Sequence, residues 1–359
     1  MSSVSTSPAP SADVWAQQDT NPDAIDAALR GLLRERHAAN QALAPARVLN
    51  LVVIVDREWK GEIAQRLDHV GRYHASRTIL CAVEQGRRTI DAVAVMNYEE
   101  PKGGSIGVVH EQVEIDLGPA HLQAIETIVD PVVVSELPTV LWSPHGHEQA
   151  VRQLLPLTDV MLVDSDTLLE PPAALARAAA LAESVYVVDL AWLRTTPWRE
   201  RLAASFDPGP RRAALGRIAT IAVRYRSGSG ASALLLAGWL ASRLHWDPER
   251  LGAVDGNALH GLARRGADEV RVELDVFEQE APGLGGVTVT CGHGFSLSLD
   301  RAAGGLCARE RSSDGAERVW QVLGASRGEG GILGEGVRQA LLRDPTYGPA
   351  LAAARSFGG

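Results

Sequence analysis

Two tryptophans and three arginines fall between Trp192 and Arg201, inside the stretch DLAWLRTTPWRERLAASFD that covers residues 189–207. Large planar side chains beside forked guanidinium groups are the composition of protein-binding hot spots. Trp192, Arg194 and Arg199 are therefore candidate partner-binding residues. A second cluster of this kind, Arg72, Tyr73, His74 and Arg77, lies in the polar loop GRYHASR ahead of an apolar strand. It would present cations and rings to a partner or an anion at a sheet edge; a solvated loop is the plainer reading. Within the first stretch Trp198, Leu202 and Phe206 recur at i, i+4 and i+8, so they share a helical face and belong to the core. Arg194 and Arg199 are expected at the surface, where their loss would leave stability unchanged.

Other constellations are weaker. Gly228-x-Gly230-x-x-Ala233 follows a strand, opens a helix and has Asp247 downstream, the outward form of a dinucleotide-binding turn. The acidic residue should end a second parallel strand, yet HWDPERLGAV lacks strand character and the segments beyond it read as antiparallel. A Ser/Gly turn capping a helix is the simpler account, and a nucleotide-binding oxidoreductase using the Gly228–Ala233 turn stands as the alternative. His145-Gly146-His147 pairs two imidazoles with no third ligand at metal spacing. Asp164, Asp166 and Asp189 end strands, where open α/β sheets bind ligands and where Asp also caps helices. No nucleophile elbow, zinc helix or phosphate loop is present in the sequence. The expectation is no catalytic residue, no cofactor and no metal.

The elements that must position these residues follow from periodicity. Asn21-Pro22 starts a helix carrying Ile25, Leu29, Leu32 and Leu33 on one face. Residues 47–55 form the strongest buried-strand signal, followed by a helix over 58–70 and a strand over 78–83. Residues 108–117 alternate apolar and polar, which predicts an antiparallel strand near an edge. Pro131 interrupts a helical pattern over 119–136, so a kink or two short helices is expected. Strands at 139–142 and 160–163, an Ala-rich helix over 173–183 and a strand at 185–188 follow. A strand at 216–226 and a helix over 231–244 precede alternating segments from 268 to 323 separated by Gly-rich turns, a meander of antiparallel strands. The fold class is α/β in two domains: a disordered tail over 1–20, an N-terminal mixed α/β sheet domain over 21–170, and a C-terminal α+β domain with an antiparallel meander over 171–359.

Composition narrows the function classes. The chain has 359 residues, 45% hydrophobic and 22% charged, with a net charge of −9 and a pI of about 5.6. That balance argues against a sequence-independent hold on nucleic acid or on an anionic membrane. Three scattered cysteines, Cys81, Cys291 and Cys307, suit a reducing compartment. The N-terminal residues lack an apolar core flanked by basic residues, and ASALLLAGWLA is about half a membrane span. A soluble cytoplasmic protein is expected.

The segments ARVLNLVVIVD, VGRYHASRTILCAVE, IVDPVVVSELPTVLWSPHG, VDSD and DLAWLRTTPWRERLAASFD resemble, in order, blocks of the glucose-6-phosphate dehydrogenase assembly protein family, OpcA, over roughly residues 46–207. The resemblance implies a bacterial, non-catalytic assembly factor or allosteric activator. Such a factor binds glucose-6-phosphate dehydrogenase and promotes its active oligomer in the pentose phosphate pathway. Redox control, linked to some members, is not carried over to three scattered cysteines.

Overall fold

Asn21 and Pro22 start the first helix as their types require. The Asn21 side chain accepts the Ala24 N–H at 3.0 Å, and Pro22 takes the first helical position. This helix belongs to the first of two units, Met1–Leu162 and Val163–Gly359, in a computed structural model that describes residues 12–39, 43–44, 47–71, 75–99, 107–254, 258–323 and 328–359. In chain order the first unit holds β1 (Ala12–Gln17), α1 (Pro22–Ala39), β2 (Leu43–Ala44), β3 (Leu49–Asp56), α2 (Lys60–Gly71) and β4 (Ser76–Val83). Then come β5 (Asp91–Glu99), β6 (Gly107–Leu117), α3 (Ile125–Val129), β7 (Thr139–Trp142), α4 (Glu148–Leu154) and β8 (Val160–Val163).

The strands lie in the order β1-β5-β6-β4-β3-β7-β8, with β2 against β6. β3 is parallel to β4 and β7, and β7 to β8. β4 is buried throughout and β3 up to Asp56, which is why both read as unbroken apolar runs. Inside β3, Asn50 satisfies its amide by donating to the Val134 and Leu137 carbonyls and to Thr139 Oγ1, while its Oδ1 accepts the Val134 N–H. One buried side chain thus fixes the loop that leads into β7. Pro131 has the expected effect, since the helical pattern around it resolves into a short 3-10 turn and α3.

Two expectations are corrected here. β6 pairs antiparallel with β5 as expected, but it stands third from the edge strand β1 and its other long neighbour, β4, is parallel. Its polar positions answer to α2 instead, where Lys60 reaches Glu114 at 2.9 Å and Asp116 at 2.8 Å. Residues 12–17, expected within a disordered tail, form the edge strand β1, paired antiparallel with β5 from Ala12↔Asn97 to Gln17↔Ala92. Val14 is 59% exposed, so backbone pairing rather than an apolar stripe holds this strand, and periodicity does not report it. Residues 1–11 lie outside the described residues.

The second unit holds α5 (Pro171–Ala182), β9 (Tyr186–Asp189), α6 (Leu190–Arg194), α7 (Thr196–Phe206), α8 (Gly209–Arg212), β10 (Ile218–Tyr225), α9 (Gly230–Leu244), β11 (Asp247–Pro248) and β12 (Gly252–Ala253). It continues with β13 (Leu259–Arg265), β14 (Asp268–Val276), β15 (Leu284–Cys291), β16 (Ser296–Ala302), β17 (Gly305–Arg311), β18 (Glu317–Leu323), α10 (Gly328–Ala340) and α11 (Tyr347–Gly358). Nine strands form one sheet in the order β11-β13-β14-β10-β15-β16-β17-β18, with β12 against β13. The meander is antiparallel as expected, except that β10 is inserted between β14 and β15 and runs parallel to β14. Alternation along β14 and β15 cannot reveal that a strand from earlier in the chain divides them. α9 is buried almost all round. A Cβ at Gly238 would meet the Ala350 carbonyl and the Ala354 N–H of α11, so glycine is what lets the two helices touch backbone to backbone.

A chain beginning at Asn21 loses β1 and leaves the outer side of β5 unpaired. Its melting midpoint is expected to fall by several degrees relative to a chain beginning at Ser11, on the order of 2–4 °C for each kcal/mol lost. Equal midpoints by calorimetry would mean that β1 contributes nothing to the first unit.

Candidate functional site

The strand end at Asp189 opens the polar centre of the second unit. Asp189 is fully buried, and its carboxylate accepts from Ser165 N at 3.1 Å, Ser165 Oγ at 2.6 Å, Ala191 N at 2.9 Å and Tyr347 Oη at 3.1 Å. It therefore caps α6 as well as anchoring α11. Asp164 takes both terminal nitrogens of Arg194 at 2.7 Å, a two-pronged pairing that uses the planar fork of arginine. Asp166 accepts Ser232 N at 3.0 Å and Ser232 Oγ at 2.6 Å, and lies 3.8 Å from Arg194 Nη1. Burial pushes Asp166 up to about 7, against the hydrogen bonds from Ser232, and the Asp164 charge adds to the rise. Burial likewise pushes Asp189 up to about 6.

Trp192 and Arg199 are brought together while Arg194 turns to Asp164, and all three side chains lie inside the second unit rather than at its surface. Trp192 is 2% exposed, and its Nε1 donates to Asp344 at 2.9 Å. The Arg199 guanidinium stacks 3.5 Å from the Trp192 ring centre and donates to Thr195 Oγ1 at 3.0 Å and Thr196 Oγ1 at 2.9 Å. Burial lowers Arg199 to about 10, partly offset by the Asp344 charge. The expectation that Arg194 and Arg199 sit at the surface, removable without loss of stability, is therefore revised. Trp198, Leu202 and Phe206 are buried as their spacing requires.

Gly228 has a φ of +87°, so the Gly228–Ala233 turn needs its glycine. A parallel neighbour does exist for β10, contrary to the expectation that downstream strands are all antiparallel. The decisive point is what sits at the head of α9. There the Asp166 carboxylate takes Ser232 N, a position a dinucleotide's pyrophosphate would need. A Cβ at Gly230 would strike Pro171 Cγ, so its glycine serves chain packing.

In the first unit Arg77 is 7% exposed; it donates from Nε to Glu111 at 2.7 Å and from Nη1 to the Val132 carbonyl at 2.8 Å. Arg47 also reaches Glu111, which is 1% exposed, so two guanidiniums enclose one buried carboxylate. Arg77 thus joins the core, and Arg72, Tyr73 and His74 lie outside the described residues. His145 and His147 meet Asp56 across the carboxyl ends of β7 and β3: Asp56 N donates to His145 Nδ1 at 3.2 Å, and His147 Nε2 lies 3.2 Å from Asp56 Oδ1. Burial lowers the His145 pKa. Among the described residues no group of three His, Cys, Asp or Glu could hold a metal ion.

A feature the sequence did not single out lies beside the buried face of α7. Leu202 and Phe206 face Trp239, Leu240 and Leu244 of α9 across an open recess of about 260 Å³. The run LLLAGWLASRL reads simply as a buried helix, and only the distance between two helices reveals a gap.

Comparisons with known proteins bear on this arrangement. Residues 67–180 match the family model described as the glucose-6-phosphate dehydrogenase subunit N-terminal domain, and residues 185–351 match the C-terminal domain of the same subunit. The chain belongs to the OpcA family of glucose-6-phosphate dehydrogenase assembly proteins. It is 32% identical over 214 residues to the putative OxPP cycle protein OpcA of Synechococcus elongatus, covering 57% of this chain and 48% of that one. To the OpcA of Synechocystis it is 36% identical over 131 residues, covering 35% of this chain and 28% of that one. The matched part thus spans about half, or less, of the length of these OpcA relatives. The super-repressor mutant of Gal80p from Saccharomyces cerevisiae superposes over 82% of this chain and 83% of that chain with a TM-score of 0.45 at 10% identity, too loose a likeness to define a shared fold.

Two outcomes follow for this OpcA-family chain. Arg194→Ala would leave Asp164 and Asp166 buried without their cation, and is expected to destabilise the protein by roughly 3–5 kcal/mol; a urea midpoint equal to the parent's would contradict the pairing. Asp166 and Asp189 titrate higher folded than unfolded. Their contribution to stability is therefore fully present below about pH 4 and is lost as pH rises through about 6 and 7. Asp166→Asn, which keeps the shape, should flatten the decline in urea midpoint between about pH 5 and pH 8. Parallel profiles for parent and variant would contradict the assignment.

Proposed function

We propose that this chain is a non-catalytic partner of glucose-6-phosphate dehydrogenase that binds the enzyme and promotes its active oligomer. The observation that carries this reading is the pair of matches to the two domains of a subunit described by that enzyme's name, in order along residues 67–351. The printed names of the relatives point to the OxPP cycle, in keeping with a role in oxidative pentose phosphate metabolism. The geometry supports contact over hydride chemistry, because the helix head that the oxidoreductase alternative would use for a nucleotide carries Asp166. A net charge of −9 supports a protein partner over nucleic acid. Among the described residues no helix is long and apolar enough to cross a membrane, and a cytoplasmic location is part of the proposal.

Adding the purified chain to glucose-6-phosphate dehydrogenase is expected to raise kcat/KM several-fold and to shift the enzyme to a larger species by light scattering. The chain alone should reduce no NADP and give no binding heat with it. Unchanged rate and mass in the mixture would sink the proposal, and a stoichiometric heat with NADP would restore the oxidoreductase. Capture of many unrelated enzymes would point to a general chaperone.

A further inference from the structure

The strand registers of the second unit sort its side chains onto two faces of the sheet. Ile221 and Val223 of β10, Val287 and Val289 of β15, and Leu297 and Leu299 of β16 form the buried face, against which α9 packs. The alternate positions form the other face. There Glu273, Ala222, Thr288, Ser298, Arg309 and Val319 make one continuous row, each paired with the next across the strands from β14 to β18. This second face is open. Glu269, Arg271, Arg309 and Arg311 are exposed along it, and Val319 is 56% exposed.

Its side chains are short in the middle and charged at the flanks. Across β10, β15 and β16 it shows Thr220, Ala222, Thr288, Thr290, Ser296 and Ser298, and the charged pair there, Arg224 with Asp300, is closed on itself. Short side chains let a second sheet approach to about 10 Å, the spacing of sheets packed face to face. The flanks differ in sign. β14, two strands to one side of β15, presents Glu269, Glu273 and Asp275 against a single Arg271. β17, two strands to the other side, presents Arg309 and Arg311 with no acid on this face. A neutral centre inside a charged rim is the anatomy of a protein interface.

We propose that this face packs against the same face of a second copy of the chain, across a twofold axis that runs along β15. Such an axis sets β15 over itself and carries β14 of each copy over β17 of the other, so an acidic flank meets a basic one twice. In the row through Thr288, Glu273 then faces Arg309 of the second copy. An axis across the strands would set β14 over β14, acid on acid, so charge selects the first. The occupant is a second copy because the opposite charges stand at equal distances from β15, which makes the face complementary to itself. Six strands of seven to nine residues present enough area for this. At about 4.8 Å between strands they cover roughly 600–700 Å², near the 800 Å² or so that each partner gives to a stable interface. A dimer offers each enzyme-binding surface twice, which suits a protein that enlarges its partner's assembly. The dimer itself does not depend on the partner reading.

Sedimentation equilibrium of the full chain tests this. The parent is expected at twice the 38.2 kDa of one chain. Its dimer constant should be on the order of micromolar or tighter. Thr288→Arg places two cations on the axis, while Glu273→Arg and Arg309→Glu each set like charges face to face. Each change alone is expected to weaken the dimer about tenfold or more, the charge effects shrinking at high salt. Glu273→Arg combined with Arg309→Glu restores opposite charges and should recover the parent's dimer constant, which a merely structural role does not produce. Arg88→Glu, exposed in the first unit, is the control and should dimerise as the parent does. Melting midpoints establish that each variant folds, and the charge variants carry the test if Thr288→Arg does not. A parent that stays monomeric at about 100 μM overturns the proposal. So does a dimer that all three single changes leave intact, or one that the double change fails to recover. If the parent is monomeric and Thr288→Arg abolishes binding to the dehydrogenase, the face belongs to the enzyme; the dimer falls and the partner reading stands.

Discussion

Three carboxylates, Asp164, Asp166 and the fully buried Asp189, meet in the second unit with one guanidinium, Arg194, that reaches only two of them, and several elements of that unit are arranged around the constraint. Asp164, Asp166 and Asp189 cannot all be left to Arg194, which pairs fully with the first and only grazes the second. The deficit is met by neutral donors drawn from separate elements: Ser165, Ser232 at the head of α9, the backbone of α6, and Tyr347 of α11. Each donor brings its helix to a fixed place, because a buried carboxylate without partners costs several kcal/mol. Burial still raises the pKa of Asp166 and Asp189 in spite of these donors.

The same constraint separates what was legible in the sequence from what was not. Burial periodicity identified β3, β4, α9 and the Trp198–Leu202–Phe206 face, since each reports the local surroundings of neighbouring residues. The assignments of Trp192, Arg194 and Arg199 depended on partners elsewhere in the chain: Asp344 lies 152 positions from Trp192, and Asp164 lies 30 from Arg194. A tryptophan beside arginines looks the same in sequence whether the polar partners come from another protein or from its own chain. The strand end at Asp166 was recognised as a capping position, but its cap is on α9, 66 residues away. β1 was missed for the opposite reason: an edge strand with an exposed valine has no pattern to read. The insertion of β10 into the meander is a matter of topology, which alternation does not encode.

The two units handle buried charge in opposite ways. In the first, two arginines, Arg47 and Arg77, enclose the single carboxylate of Glu111, so cation exceeds anion. In the second, anion exceeds cation, and hydroxyls and backbone amides close the gap.

The contact at Gly238 carries a consequence for the order in which the chain is made. α9 is seated against α11 with no room for a side chain between them, and Asp344 and Tyr347 supply partners to Trp192 and Asp189. During synthesis, the second unit therefore has an incomplete core and uncompensated carboxylates until residues 344–358 have left the ribosome. The face of α9 that receives α11 stays uncovered through that interval, when a nascent chain is most open to association.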